Sequence, residues 1–392
     1  MLLFIDYEKT IIKKNPASFV PNKKIPIYNW FYYKEGFSRD LVIDLIKKFN
    51  IKKNQIILDP FCGSGTTLVA SRETGINSIG FDVLDIAFFA SVVKTRDYSN
   101  VLDELKKTLQ EIKNTPKKKE KIRIKEKIIL KAFPDRILSE LLYLKQNIKK
   151  IKNKIIRDFF LLCLINTSTK TTLAIKDGGC IKIDKSRHLP PVKYMFVKLA
   201  KKMINDIDCT RFGKAETQVF KKDTRIFRLK ENSIDCVITS PPYLNKIEYA
   251  NVYFIEEYLF LKKKLHSSLR SFIGKNYEKI SEKMKNENLK DLLDDFIGKP
   301  NESIIVAYFI DIFKSLENMY FCLKKNKYCA IVIGGGCFDF GVVQTDVIVS
   351  KIAEIIGFKI MEIMPLRKII CTKNRTKKIG VVNESLLILK KN

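Results

Sequence analysis

The sequence contains no apolar run long enough to cross a membrane, since none approaches the roughly 18–20 residues of a transmembrane helix. The first residues, MLLFIDYEKTIIKK, are too charged and their apolar stretch is too short for a secretory signal peptide. These absences predict a soluble, cytoplasmic protein. The apolar fraction is an ordinary 46%, and 392 residues can bury a full α/β core with an additional module.

Histidine and paired cysteine are also scarce. The nine cysteines are scattered without a CxxC pair, and the two histidines are His188 and His266. This pattern argues against a disulfide framework, a structural zinc site and a histidine-based metal centre. We therefore expect no metal, and we expect most of the cysteines to be small buried apolar groups.

Acidic residues are in the minority, with 43 Asp and Glu against 73 Lys and Arg and a formal net charge of +30. One explanation is compositional bias, because lysine-rich and isoleucine-rich chains are common in AT-rich genomes. The other is a polyanionic partner, since lysines that face phosphates release counterions and steer association. The charge alone does not decide between them, but it favours nucleic acid over an acidic protein as a partner.

Short apolar runs alternate with amphipathic helical stretches along much of the chain. A strand, a glycine turn, a helix ended by Gly75 and a second strand form a βαβ unit near the start. The predicted strands cover residues 56–61, 78–83, 216–220, 233–240, 328–335, 358–366 and 384–391. Because a loop rather than a helix joins the last two, the pattern predicts an α/β fold with a doubly wound, mostly parallel seven-stranded sheet and an antiparallel edge.

A Lys-rich block interrupts this alternation. It is dominated by amphipathic helical stretches, and it contains a polar, glycine-bearing loop or small hairpin at 167–191. We expect this block to be a helical insertion in the α/β domain. The predicted division is a lead-in at 1–27, a catalytic domain formed by 28–90 and 216–392, and the insertion at 91–215.

A glycine turn, Asp59-Pro60-Phe61-Cys62-Gly63-Ser64-Gly65-Thr66, lies between the first strand and its helix. Two glycines permit a tight turn and close approach of a ligand to the backbone. The turn is neither a Walker A loop nor a GxGxxG motif, because Leu68 occupies the third glycine position. Asp82 ends the second strand, where doubly wound folds place an acid that binds ribose hydroxyls. A purely structural turn and a solvated strand end are the alternatives.

A second motif, Ser240-Pro241-Pro242-Tyr243, follows an apolar strand directly. The two prolines end ladder pairing and remove backbone donors while leaving carbonyl acceptors. Such a turn suits a planar ligand that carries an amino group. The amine would donate to the Ser240 hydroxyl and the Pro241 carbonyl, and Tyr243 would stack on the ring, as in recognition of a flipped base. A proline-stiffened strand exit is the alternative.

Together, the two motifs resemble those of the DNA amino-methyltransferases, which make N4-methylcytosine or N6-methyladenine. DPFCGSGTT (59–67) is similar to the cofactor loop of that family, and TSPPY (239–243) is similar to its catalytic motif, usually [DNS]-P-P-[YFW]. The resemblance implies a class I methyltransferase fold with S-adenosyl-L-methionine as its cofactor, and a catalytic role for Ser240, Pro241, Pro242 and Tyr243. The residues that it implies for cofactor binding are Phe37, Ser38, Asp59, Pro60, Phe61, Gly63, Gly65, Thr66, Asp82 and Asp223.

The implied reaction is direct methyl transfer from the sulfonium to the exocyclic nitrogen of a base flipped out of double-stranded DNA. Within the family, serine before the two prolines is more usual for cytosine-N4 than for adenine-N6 enzymes, although Ser and Asp can both accept from an amine. Cys62 is interpreted as a packing residue rather than as a nucleophile. The resemblance also implies a restriction-modification system, with a cognate restriction endonuclease acting on the same site.

The position of the target-recognition region stays open. The inserted block separates the cofactor loop from the catalytic turn, which resembles the family arrangement with recognition between the two halves. However, it enters before the Asp223 segment, so residues 248–300 are a competing candidate.

Two other functions are compatible with the sequence. Guanine-N2 methyltransferases of tRNA share a similar glycine loop, but they usually have Asp before the prolines and an RNA-binding domain ahead of the loop. Only 58 residues precede Asp59, too few for that domain. A non-catalytic nucleic-acid-binding protein with a decayed methyltransferase fold is the other alternative; the intact Gly63, Gly65 and SPPY motif argue against it.

Overall fold

The computed structural model describes most of the chain, namely residues 17–34, 36–116, 118–177, 179–210, 212–244, 249–261, 273–274, 287–373 and 377–392. The lead-in predicted at 1–27 and the competing recognition segment at 248–300 therefore lie partly outside the described residues. No helix among the described residues is long and apolar enough to cross a bilayer.

A seven-stranded sheet forms the centre of the molecule, in the order β10-β11-β7-β6-β1-β2-β5. The five strands from β7 to β5 are parallel to one another, and β11 pairs antiparallel with both β7 and β10. This arrangement confirms the predicted doubly wound sheet and its antiparallel edge. The strands are β1 (Ile56–Asp59), β2 (Asn77–Phe81), β3 (Ala174–Asp177), β4 (Cys180–Ile183), β5 (Thr217–Phe220), β6 (Ile234–Thr239), β7 (Leu323–Gly334), β8 (Gly336–Phe338), β9 (Gly341–Val343), β10 (Phe358–Lys373) and β11 (Lys377–Lys391).

Helices cover both faces of the sheet. The longer ones are α1 (Arg39–Lys48), α2 (Thr66–Thr74), α3 (Asp85–Thr95), α4 (Leu102–Asn114), α5 (Lys127–Ala132), α6 (Asp135–Lys149), α7 (Lys154–Lys170), α8 (Val192–Cys209), α9 (Glu287–Leu293), α10 (Glu302–Cys322) and α11 (Thr345–Ile356). Shorter helical turns lie at Val20–Lys24, Tyr28–Trp30, Ser99–Val101, Tyr249–Val252, Phe254–Glu256, Glu257–Leu261 and Asp294–Phe296. The small hairpin β3–β4 lies between α7 and α8, within the loop or hairpin predicted at 167–191.

Alternate residues of the central strands point into two apolar cores, one on each face of the sheet. Ile57 belongs to one core and its neighbour Leu58 to the other, as the two-residue period of a strand requires. The register of β1 against β2 and β6 aligns the carboxyl ends of these strands at one edge. In an open α/β sheet, this edge is where ligands bind.

The Lys-rich block of 91–215 packs directly on the residues predicted to form the catalytic domain. Residues of α4, α7 and α8 share the apolar core of the Ile57 face with α1, α2 and α3. Helix α3 runs from Asp85 to Thr95, so it crosses the predicted boundary at 90. The insertion therefore has no separate core of its own among the described residues.

The described part of the lead-in is also integrated into this core. Phe19 and Ile27 are buried, and Asn22 donates its amide to the Phe37 carbonyl at 3.0 Å. The indole of Trp30 donates to Asp206 of α8 at 3.0 Å, which ties this segment to the insertion. Residues 17–32 are thus a structural part of the domain.

One disulfide joins Cys337 of β8 to Cys371 of β10, with their Cα atoms 5.9 Å apart. The irregular spacing of the cysteines gave no indication of this pair, and one bond is not the disulfide framework that this spacing argues against. Five of the seven free cysteines are buried, which agrees with the predicted packing role. Cys180 and Cys209 are exposed.

Candidate functional site

One cavity at the carboxyl edge of the sheet brings most of the predicted site residues together. Its walls come from the glycine turn after β1, from the ends of β2 and β6, from the segment after β5 and from the loop before α1. The predicted residues that line it are Phe37, Asp59, Pro60, Phe61, Gly63, Thr66, Asp82, Asp223, Ser240 and Pro242. Ser38, Gly65, Pro241 and Tyr243 are not in its lining.

Asp59 connects the two sequence motifs. Its carboxylate is 1% exposed and accepts a hydrogen bond from the Thr239 hydroxyl at 2.7 Å and from the Phe61 amide at 3.2 Å. Burial raises the pKa of Asp59 to about 6, while these hydrogen bonds oppose the rise. The contact holds the end of β1 against the residue that precedes Ser240.

Asp82 shapes the glycine turn. One carboxylate oxygen accepts from the Gly63 amide at 2.9 Å, and the other accepts from the Leu84 amide at 2.9 Å. Desolvation raises the pKa of Asp82 to about 6, although both hydrogen bonds favour the charged form. The side chain thus links the first and second strands while one face of the residue lines the cavity.

The glycines of the turn are required by conformation and by close packing. Gly63 has φ of 51° and Gly65 has φ of 81°, in the left-handed region that side-chain-bearing residues rarely adopt. A Cβ at Gly63 would lie 3.0 Å from the Tyr33 ring, and one at Gly65 would lie 3.1 Å from Ser91 of α3. Gly65 therefore supports the turn from behind, where α2 begins, rather than facing the cavity.

A buried lysine beneath the turn was not predicted. Lys94 of α3 is 0% exposed, and its ammonium donates to the Ser64 carbonyl at 2.8 Å. Burial lowers the pKa of Lys94 to about 7. This contact fixes a carbonyl between the two glycines, so Lys94 positions the turn without lining the cavity.

The segment after β5 is held by an ion-pair network. Arg225 donates to the Asp223 carboxylate at 2.5 Å and to Asp311 of α10 at 2.8 Å. The hydroxyl of Thr224 donates to the Pro60 carbonyl at 2.5 Å, which presses this segment onto the glycine turn. Asp223 therefore lines the cavity while it neutralises a neighbouring guanidinium.

The Ser-Pro-Pro-Tyr turn is anchored from two sides. The Pro242 carbonyl accepts from the Tyr308 hydroxyl at 2.9 Å, and burial raises the pKa of Tyr308. The Tyr243 hydroxyl donates to the buried Glu384 at 2.6 Å. Its ring lies against Gly334, where a Cβ would come within 2.7 Å of two ring carbons. The arrangement leaves Ser240 and Pro242 in the cavity lining and holds the Tyr243 ring by its contacts with Gly334 and Glu384.

The adjacent residues Phe37 and Ser38 have different roles in the structure. Phe37 lines the cavity, whereas the Ser38 hydroxyl accepts from the Leu41 amide at 3.2 Å and caps α1. The lining residues that the sequence did not single out for this site are Tyr33, Gly36, Cys62, Ser64, Val83, Leu84, Lys222, Thr224 and Ile273. Most of them adjoin a predicted residue, but no local pattern pointed to Tyr33.

Comparison with known proteins agrees with this site. Residues 12–88, which include the glycine turn and Asp82, match the model of the N6/N4 DNA methylase family. The chain is 27% identical to the Type II methyltransferase M.BsoBI of Geobacillus stearothermophilus, over 92% of this chain and 84% of that protein.

Two further relatives differ in how much of the chain they match. The Type II methyltransferase M.AvaI of Nostoc sp. is 25% identical over 91% of this chain and 84% of its own. The Type II methyltransferase M.MjaII of Methanocaldococcus jannaschii is 43% identical over a shorter stretch, 22% of this chain and 16% of that protein. These matches confirm the predicted resemblance to the DNA amino-methyltransferases.

The cofactor of such enzymes is S-adenosyl-L-methionine, and the cavity has the chemistry to hold it. In the described part of the chain, the charged residues that line the cavity are Asp59, Asp82 and Asp223 and one basic residue, Lys222. This excess of carboxylates suits a cofactor that carries a sulfonium, an ammonium and one carboxylate, and it disfavours a cofactor that carries phosphates. Phe37, Phe61, Leu84 and Ile273 supply apolar surface for its adenine ring and its aliphatic chain.

Proposed function

We propose that this protein methylates an exocyclic amino group in double-stranded DNA, and that its target is N4 of cytosine. The observation that carries the proposal is the single cavity in which the glycine turn, Asp82 and Asp223 meet Ser240 and Pro242. A cofactor site and an amine-recognition turn have to share one cavity if a methyl group is to pass directly between two bound molecules.

Three carboxylates hold the cofactor in this proposal. Asp82 binds the ribose hydroxyls from the end of β2, and Asp223 approaches the adenine ring from the end of β5. Asp59 contributes negative charge near the methionine end, where Phe37 closes the site. S-adenosyl-L-methionine supplies an electrophilic methyl group on a sulfonium, whose positive charge favours these acidic surroundings.

The catalytic turn orients the amine. The Ser240 hydroxyl and the Pro241 carbonyl accept hydrogen bonds from the two N–H groups, which favours a pyramidal nitrogen with its lone pair directed at the methyl group. Tyr308 stabilises this geometry because it fixes the Pro242 carbonyl. Tyr243 stacks on the flipped base, and its hydrogen bond to Glu384 limits rotation of the ring.

The choice of cytosine rests on Ser240, because Ser in this position resembles cytosine-N4 enzymes more than adenine-N6 enzymes. The Type II relatives further support a role in a restriction-modification system. In such a system, a cognate restriction endonuclease cuts the unmethylated form of the same site. DNA is proposed over tRNA because residues 12–88 match a DNA methylase family.

The test is transfer of labelled methyl groups from S-adenosyl-L-methionine to unmethylated DNA and, separately, to bulk tRNA, followed by digestion to nucleosides and mass analysis. We expect label in N4-methylcytosine from DNA only. A Ser240→Ala, Tyr243→Ala double variant serves as the blank. Ser303→Ala, at an exposed position of α10, serves as the matched control and should retain full activity.

Each other outcome has a defined meaning. Label in N6-methyladenine would overturn the choice of base but keep the class. Label in tRNA alone would overturn the DNA assignment. Cofactor binding without transfer to either nucleic acid would favour the non-catalytic alternative.

A further inference from the structure

A second cavity lies on the other side of the catalytic cavity's wall. It is bounded by the segment 19–32, by the insertion between Phe133 and Met203, and by Ile255 and Glu256. It has a volume of about 630 Å³, large enough for a ligand bigger than a single base. None of the predicted site residues lines it, so the proposed reaction leaves it without a role. We refer to it as the basic cleft.

The charge of this cleft is opposite to that of the catalytic cavity. Among the described residues that line it, five are basic and one, Glu256, is acidic; the basic ones are Lys23, Lys170, Lys176, Arg187 and Lys202. Lys23 and Lys170 are exposed and lie where a ligand can approach from solvent. Aromatic rings, among them Trp30 and Tyr32, also line the cleft, together with small polar and aliphatic side chains. Basic groups interleaved with aromatic rings are typical of surfaces that bind nucleic acid.

Two buried polar atoms at this cleft have no hydrogen-bonding partner among the described residues, Glu256 Oε2 and Asn29 Nδ2. Glu256 is 2% exposed, and its other oxygen accepts from the Lys176 ammonium at 2.5 Å. An orphaned buried acceptor and an orphaned buried donor are costly unless a ligand or water satisfies them. A nucleobase offers both complementary groups, since an exocyclic amine can donate to Glu256 and a ring acceptor can receive from Asn29.

The wall between the two cavities is thin. The Tyr33 ring, which lines the catalytic cavity, stacks on the Tyr253 ring with centroids 5.1 Å apart and planes 1° apart. The Lys176 ammonium lies 3.8 Å from the centroid of Tyr253 and lines the basic cleft. Successive bases of one strand are about 3.4 Å apart. The two rings and the ammonium that separate the cavities thus span a distance comparable to a few base steps.

We propose that the basic cleft binds nucleotides of the DNA recognition site, with Glu256 accepting a hydrogen bond from the exocyclic amine of a base other than the target. The proposal rests on the proposed function. Within it, Lys23 and Lys170 pair with backbone phosphates, which positions the strand, and Glu256 and Asn29 read a base edge, which contributes specificity.

The first test compares two double charge reversals that change the net charge equally. Lys23→Glu, Lys170→Glu alters the cleft, and Lys325→Glu, Lys351→Glu alters exposed positions of β7 and α11 that do not line it. Affinity for a fluorescent duplex is measured by anisotropy across a range of salt concentrations. We expect the cleft variant to bind the duplex at least about tenfold more weakly. The slope of log binding constant against log salt concentration should become less negative by roughly two.

The control variant should keep the slope of the wild type. Equal weakening in both variants, with unchanged slopes, would overturn the proposal because only the global charge would matter. Neither variant should change the affinity for S-adenosyl-L-methionine, which confirms that each is folded. The binding measurement requires no methyl transfer. An enzyme that binds DNA through the cleft but does not methylate it would contradict the proposed function alone.

The second test addresses the base contact. Glu256→Gln keeps the shape of the side chain but removes its charge, and its folding is checked by thermal unfolding and by cofactor affinity. Wild type and variant each methylate a random-sequence duplex library, and the methylated sites are sequenced. We expect the variant to relax discrimination at one position of the site by roughly tenfold. Identical site preferences in the two proteins would overturn the role of Glu256.

Discussion

The two cavities are separated by a pair of stacked tyrosines and have opposite charges. Counting the residues that the structure describes, the catalytic cavity has three carboxylates and one lysine in its lining, whereas the basic cleft has five basic residues and one glutamate. The net charge of +30 is therefore not distributed uniformly over the protein. Each cavity instead has the charge that opposes its proposed ligand, a cationic cofactor in one case and polyanionic DNA in the other.

The salt dependence of ligand binding should differ between the two cavities by the largest factor of any test. If six or more phosphates are neutralised, raising the salt concentration from about 50 mM to about 200 mM should weaken DNA binding about a thousandfold, because released counterions then oppose association. Affinity for S-adenosyl-L-methionine should change less than about threefold, since one net charge in a partly enclosed site is poorly screened.

Isothermal titration for the cofactor and anisotropy for DNA, on the same preparation, would measure both responses. A cofactor affinity that falls as steeply as the DNA affinity would contradict the assignment of the two ligands to cavities of opposite charge.

Removal of one carboxylate from the catalytic cavity should weaken the binding of the cofactor but not the binding of DNA. Asp82→Asn replaces the carboxylate that we propose binds the ribose hydroxyls. This carboxylate also accepts hydrogen bonds from the Gly63 and Leu84 amides. Loss of hydrogen bonds to a charged group predicts a cofactor Kd that is roughly 10–100-fold higher. Asp291→Asn, at an exposed position of α9, is the matched control and should bind the cofactor normally. DNA affinity without cofactor should be the same in both variants.

The pH dependence of cofactor binding should follow from the raised pKa values of Asp59 and Asp82, both about 6. As the pH falls through about 6, protonation removes the charges that favour a cationic ligand, so the Kd should rise up to about tenfold by about pH 5 and stay constant above about pH 7. Titration calorimetry across this range, with Asp82→Asn for comparison, should show a smaller pH effect in the variant.

The stability of the protein without cofactor should respond to the same two groups in the opposite direction. Their pKa values in the folded state are raised above the value of about 4 expected in the unfolded chain, so protonation favours the folded state. Their contribution is fully present below about pH 4 and is lost as the pH rises through about 6. If the cofactor affinity fell at low pH only because the protein unfolds, the stability would fall over the same pH range. A thermal unfolding series would detect this.

The fold could be predicted from the sequence because its signals are local. All seven predicted strands correspond to strands of the sheet, since short apolar runs bounded by Gly and Pro specify them without long-range information. The glycine turn and the Ser-Pro-Pro-Tyr turn were found for the same reason. Ten of the fourteen predicted site residues line one cavity because the carboxyl ends of parallel strands meet at one edge.

What could not be predicted depends on contacts between distant parts of the chain. Lys94 follows a helical pattern and resembles a solvated lysine until α3 places it under the Ser64 carbonyl. The disulfide between Cys337 and Cys371 needs the pairing of β8 with its neighbours and the approach of β10. The basic cleft combines residues 19–32, 133–203 and 255–256, and no short motif marks any of them.

The stacked tyrosines offer the smallest but most specific test of the boundary between the two cavities. Tyr33→Ala removes a ring that packs on Gly63 and on Tyr253, so the glycine turn loses a wall while the basic cleft keeps Lys176 and Glu256. We expect the cofactor Kd to rise several-fold, in line with the roughly 0.5–1.5 kcal/mol of an aromatic pair, and the DNA Kd without cofactor to change less. Tyr194→Ala, which removes a largely exposed ring of α8, is the control. Equal weakening of cofactor binding and DNA binding in Tyr33→Ala would show that the two cavities behave as one site. If the tyrosine pair only separates them, the loss of the Tyr33 ring should have little effect on DNA binding at the cleft.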